Sequence, residues 1–225
     1  MPLLNGFYEV RIFFEKRGRI KYISHLDTMR AFTRALGRSG LPLWYTLGFN
    51  PHLYLTFALP LSLGCEAVCE SFDIRFVTDQ ISFEDVCERL NAVLPPGFRA
   101  LRAAEPVKKP AAITWADYKL RLVYDSGTAE ALEKFSSFSE SPVIEVTKRT
   151  KKGNKQIDIA PHAKLLGASI PGGDAIELNL RLAAGINLNI NPGLYLGAFY
   201  EQYKQPRLCQ ALRLRLLDEG LEEFE

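Results

Sequence analysis

The sequence predicts an α+β protein made of two tandem ferredoxin-like halves. Each half has the order strand, helix, strand, strand, helix, strand, with antiparallel sheets and helices on one face. Three observations predict it. Two runs of this order follow one another within 225 residues, one spanning 1–106 and the other 113–225. Between them Val107-Lys108-Lys109-Pro110-Ala111-Ala112 reads as a linker. The composition, 47% hydrophobic and 24% charged, is that of a folded globular chain and excludes disorder.

In the first half, Tyr8–Glu15 alternates and is rich in aromatic and branched residues, which predicts a strand. Ser24 offers an N-cap, and Asp27 in the first turn suits the helix dipole. Leu26, Met29, Phe32, Ala35 and Leu36 then recur at helical spacing as far as Gly37–Gly40. Leu43–Tyr45, Tyr54–Ala58 and Ser71–Val77 read as strands, with a turn-rich loop at Gly48–His52. Ser82 with Asp85 forms a capping box. It opens a helix expected to bury Phe83, Val86, Cys87, Leu90 and Leu94, and Phe98–Ala104 is the last strand of the half.

The second half repeats the order. Tyr118–Tyr124 predicts a strand and Ala129, Leu132, Phe135 and Phe138 a helix. Val143–Thr147, Lys155–Ile159 and Ile176–Leu182 predict strands. Asn191 caps a helix with Pro192 at its first position, where a missing N–H costs nothing. Leu212, Leu214 and Leu216 alternate with Arg213 and Arg215, so Leu208–Leu217 is read as a strand in spite of its helix-favouring composition.

The charge balance narrows the function. With 28 Lys+Arg against 26 Asp+Glu the net charge is +2, too small for a global field that binds polyanions, so any anion site is local. Charge or proline breaks every apolar run before about 18 residues, so no membrane span is expected. Met1–Glu15 lacks a basic segment followed by an apolar one, so no secretory leader is expected; the four cysteines suit reduced thiols in a cytoplasm.

Several side chains stand out as candidates. At about 100° per residue His25 leans toward the apolar face of its helix, about 20° from Leu36. It reads either as a core-edge histidine or as a general acid–base or phosphate contact. Asp27 faces elsewhere and reads better as a capping group. His52 lies in a loop shaped by Gly48, Asn50 and Pro51, and is read as a second acid–base or anion contact or as an exposed bystander. His25, Asn50 and His52 are expected to line one pocket with Ser24 or Asp27 at its rim. Arg30, Arg34 and Arg38 recur every four residues, which makes either a solvated stripe or a phosphate-tracking one. Lys148, Arg149, Lys151, Lys152 and Lys155 form a second basic cluster, with Gly153-Asn154 expected at the tip of a β-hairpin. Tyr54 and Phe57 are able to stack bases, though on alternating strands they suit the core.

No metal or cofactor site is expected. Cys65-x3-Cys69 supplies the first gap of a cluster-binding motif, but Phe72 occupies the third position and ligates nothing. Cys87 and Cys209 are remote, and His162 has no neighbouring ligands. Nucleophile-elbow, Walker and Rossmann patterns are absent.

Three runs carry a resemblance. They are Lys21-Tyr22-Ile23-Ser24-His25-Leu26-Asp27-Thr28-Met29-Arg30, then Gly48-Phe49-Asn50-Pro51-His52 with Thr56–Leu61 and Gly64, and Thr150–Gly153 through Lys155 and Ile157–Ile159. Together they resemble an uncharacterised bacterial family, the radical-SAM-associated domain of unknown function. The resemblance implies a radical-SAM protein as fused or neighbouring partner and implies no activity of the domain itself. Where the family usually has Pro-Lys after Asn-Pro-His, this chain has Leu53-Tyr54. The expected function is an accessory module that binds RNA, docks a radical-SAM partner, or both. The alternatives are a metal-independent RNA-processing enzyme using His25 or His52, and a docking module without RNA.

Overall fold

The computed structural model describes residues 6–150 and 153–225. Residue contacts divide the chain into one unit running to Pro110 and including Glu225, and another from Ala111 to Phe224.

The first unit contains β1 (Tyr8–Lys16), α1 (His25–Arg38), β2 (Leu55–Phe57), β3 (Cys65–Phe76), α2 (Phe83–Asn91) and β4 (Phe98–Ala104). β1 pairs antiparallel with β3 and β4, and β2 with β3, giving the order β4-β1-β3-β2. Strand alternation puts Val10, Ile12 and Phe14 on one face, where they meet Phe72, Ile74 and Phe76 of β3. Phe32, Ala35 and Leu36 of α1 and Val86 and Leu90 of α2 join the same cluster, so both helices cover that face. Phe32 is fully buried, with its ring 4.6 Å from Phe14, 4.8 Å from Phe72 and 4.9 Å from Phe98. On the opposite face Arg11 forks onto Asp73 at 2.7 and 2.9 Å, straight across the ladder, and donates to the Lys108 carbonyl at 2.8 Å.

The second unit contains β5 (Trp115–Val123), α3 (Thr128–Ser139), β6 (Glu145–Thr150), β7 (Gly153–Asp158), β8 (Ala163–Gly172), β9 (Ala175–Ala183), α4 (Pro192–Tyr200) and β10 (Leu208–Leu217). β5 pairs antiparallel with β10 and β9, and β9 with β8, giving the order β10-β5-β9-β8. β6 and β7 form a hairpin of their own. Phe135 and Phe138 of α3 pack on Tyr195 and Phe199 of α4, all buried. The architecture is α+β, with antiparallel strand pairing and four α-helices among the described residues.

The caps fall where the sequence predicts them. Ser24 accepts from the Asp27 N–H, Ser82 from the Asp85 N–H and Asn191 from the Leu194 N–H. Four features differ from expectation. Leu26 is 53% exposed, because at about 100° per residue it falls opposite Ala35, off the face that buries Thr28, Phe32, Ala35 and Leu36. Leu43–Tyr45 makes only isolated bridges, Leu43 to Phe76 and Tyr45 to Leu53. β3 begins at Cys65, six residues earlier than read. β8 was unread because two glycines and Pro171 weaken its strand signal. It ends the strand order, pairing with β9 alone, which is where a sheet tolerates proline.

Candidate functional site

Strand alternation puts Lys16 on the same helix-covered side as Ile12 and Phe14, at the end of the core, where β3 bulges opposite it. Glu70 sits across the ladder from Phe14. Lys16 and Glu70 are both buried, at 2% and 3% exposure, where charged groups belong only if they compensate one another. Lys16 Nζ donates to the Ile23 carbonyl at 3.1 Å. Burial pushes the Lys16 ammonium below its ordinary value, opposed by the attraction of Glu70 and then of Cys65.

His25 closes this end of the core from above. Its ring meets the Phe57 ring edge to face at 5.3 Å. His25, Lys16, Glu70, Thr28, Phe57 and Phe14, with Leu61, surround a space of about 10 Å³. That is room for one water molecule and no substrate. Two of the sequence motifs therefore meet here, one through His25 and Thr28, the other through Phe57 and Leu61.

Ser24 and Asp27 serve the helix end. Ser24 Oγ donates to Asp27 Oδ2 at 2.7 Å, and Arg30 donates to Asp27 Oδ1 at 3.1 Å. The Ser24 hydroxyl first, and Arg30 second, hold the Asp27 carboxyl below the usual carboxylate range. Along the arginine stripe, Arg34 is exposed, and Arg38 donates to the Val93 carbonyl at 3.1 Å.

Asn50 and His52 lie elsewhere. The Thr46 N–H donates to the His52 carbonyl at 2.9 Å, and the His52 N–H donates to Thr46 Oγ1 at 3.0 Å. The same Oγ1 lies 3.0 Å from His52 Nδ1, which is 3.2 Å from the Asn50 carbonyl oxygen. His52 thus closes an exposed loop. Neither it nor Asn50 lines the cavity beneath His25, which corrects the shared-pocket expectation. The cause is local pairing: Thr46 and His52 hold the loop closed on itself, and Tyr45 bridges Leu53, so the chain leaves the loop before it reaches Phe57. Tyr54, the second candidate stacking ring, lies against Arg75, whose guanidinium carbon is 3.7 Å from its centroid.

In the hairpin, Thr150 pairs with Gly153, Arg149 with Asn154 and Lys148 with Lys155. Gly153 and Asn154 are therefore strand residues instead of the tip, and Lys151 and Lys152 lie outside the described residues. No group of three or more His, Cys, Asp or Glu among the described residues is placed to hold a metal ion. Phe72, at the third position of the cysteine pattern, is a core residue with no exposure.

Sequence reasoning missed Lys16 and Glu70 although a signal was there. Lys16 is in phase with the buried Ile12 and Phe14, and Glu70 with Phe72, Ile74 and Phe76. A charge in phase with core positions is the mark of a buried ionic site. His162, set aside in the sequence for want of neighbouring ligands, lines a cleft of about 520 Å³ in the second unit with Trp115, Asn187 and Glu219.

No helix among the described residues is long and apolar enough to cross a membrane. No curated protein matches the sequence. Among solved structures, the chain is similar to one in the crystal structure of a Cbf5-Nop10-Gar1 complex, at 9% identity and a TM-score of 0.49. The likeness covers 92% of this chain and 48% of that one, so the chain spans about half the length of its structural relative. A family model described as "Uncharacterized protein conserved in bacteria (DUF2344)" matches residues 9–192, and the chain belongs to that family.

Proposed function

We propose that the chain is an accessory RNA-binding module built from two ferredoxin-like halves, acting in the cytoplasm and performing no chemistry of its own. The fold reading is supported by the strand orders β4-β1-β3-β2 and β10-β5-β9-β8, each with antiparallel neighbours, which match the split β-α-β unit. On this reading the β6–β7 hairpin is an insertion after the first helix of the second half.

The observation that carries RNA binding is the register of that hairpin. Lys148 stands directly opposite Lys155 in the ladder. The register thus gathers two basic residues at one position of the hairpin, and clustered cations are what a polyanion's phosphates need. The exposed Arg34 and its neighbour Arg30 on α1 offer further phosphate contacts. A radical-SAM enzyme as the catalytic partner rests on the motif resemblance alone. The alternative, RNA cleavage by His25 or His52, is less well supported. The cavity beneath His25 admits one water, and His52 is engaged in closing its own loop.

The test is a fluorescence-anisotropy titration of labelled single-stranded and stem-loop RNA at low salt. Micromolar binding that weakens in Lys148→Ala/Lys155→Ala, with the RNA left intact, supports the reading. Binding equal in wild type and variant, or none at low salt, rejects it.

A further inference from the structure

Residues 39–65 contain no Asp, Glu, Lys or Arg, a run of 27 uncharged residues in a chain that is 24% charged. Part of this run is core, as Leu41, Ala58 and Leu59 show. Its middle is not. Phe49 is 111% exposed and Leu47 89% exposed, so both side chains project clear of the protein.

This projecting loop has a fixed shape. The paired backbone and side-chain contacts of Thr46 and His52 close its base, and Tyr45 bridges Leu53 just outside them. Gly48 holds a φ of +123°, a region that side-chain-bearing residues rarely adopt, and Pro51 stiffens the return. A loop closed at its base in this way loses less conformational freedom on binding than an open one, which lowers the entropic cost of association.

We propose that the Thr46–His52 loop is a docking element that inserts Phe49 and Leu47 into an uncharged apolar pocket of a different protein. Charge complementarity selects this occupant. Nucleic acid needs cations beside the contact to neutralise phosphate; the loop carries none, and Arg75, which packs on Trp44 and Tyr54, is already paired with Glu9 at 3.4 Å. Membrane-surface anchors likewise combine apolar residues with Lys or Arg. The cores of protein interfaces are depleted in charge and enriched in aromatic anchors that fill pockets. His52 and Asn50, on this proposal, are positioning residues that set the loop.

The experiment places the photo-crosslinker p-benzoylphenylalanine at position 49 in living cells, with position 84, an exposed residue of α2, as control. The expected result is one protein adduct specific to position 49. Purified, that protein should bind the wild-type chain and bind Phe49→Asp at least tenfold more weakly. The variant should keep its melting temperature and its RNA affinity, so that failure here is separable from failure of RNA binding. A second variant, Leu47→Asp, should weaken the complex similarly. The proposal is overturned if both positions give the same adducts, or if the adduct is a second copy accompanied by dimer in sedimentation. Lipid vesicles binding wild type but not Phe49→Asp, or equal affinity of wild type and variant for the purified protein, would overturn it too.

Discussion

The ring of His25 stands edge-on to the ring of Phe57, 5.3 Å between centroids, and joins two sequence motifs that lie a helix and a strand apart. Beneath this pair the aromatic core gives way to a buried ammonium and a buried carboxylate, Lys16 and Glu70. These two motifs therefore converge on a buried ionic end of the core.

Removing one charge of that buried pair should be costly. Lys16→Met leaves the Glu70 carboxylate buried without the ammonium, and breaking a buried pair costs about 3–5 kcal/mol. Lys16→Met/Glu70→Leu should recover most of the loss. Urea denaturation of the two variants checks this; a single variant as stable as wild type would show that the two charges are not coupled.

Ser24→Ala should destabilise the first unit by about 1 kcal/mol through loss of the N-cap. Asp27 adds a pH dependence. Its folded-state value lies below the ordinary 3.8, so its contribution is present above that value and fades as pH falls through the depressed one. The gap between wild type and Ser24→Ala, measured by thermal melts, should narrow in acid. A gap independent of pH would contradict the Ser24–Asp27 coupling.

Alkali should unfold the chain steeply. Burial pushes the Tyr124 and Tyr195 hydroxyls up to about 12. Above the ordinary 10.0 the unfolded chain releases these protons while the folded chain keeps them, so stability falls as pH rises toward 12. Circular dichroism and phenolate absorbance should change together, and Tyr195→Phe should flatten the dependence. Phenolate signal from these residues appearing in the folded protein would contradict burial as the cause.

What was legible in the sequence followed from local rules. Ser24, Ser82 and Asn191 announce helix starts by side chains that cap their own backbone, and Leu208–Leu217 announces a strand by its period of two. What stayed hidden depends on contacts made at a distance. Thr46 holds His52 across the residues 47–51, a pairing without periodic signature. Glu70 and Lys16 line one small cavity only because β3 folds back antiparallel on β1. The loop and the histidine cavity read as one site because the short strand after His52 is able to fold the loop back toward Ser24 and His25; instead Thr46 and His52 close the loop on itself, and only Phe57 and Leu61 of that motif reach the cavity.

The central claim is that the β6–β7 hairpin binds RNA through phosphate contacts. It is tested most directly by the salt dependence of affinity for one single-stranded RNA, in wild type and in Lys148→Ala/Lys155→Ala. Each phosphate contact on a single strand contributes about 0.7 to the slope of log affinity against log salt. The account predicts a linear dependence whose slope falls by about 1.4 in the double variant. An unchanged slope, or an affinity indifferent to salt, would contradict it.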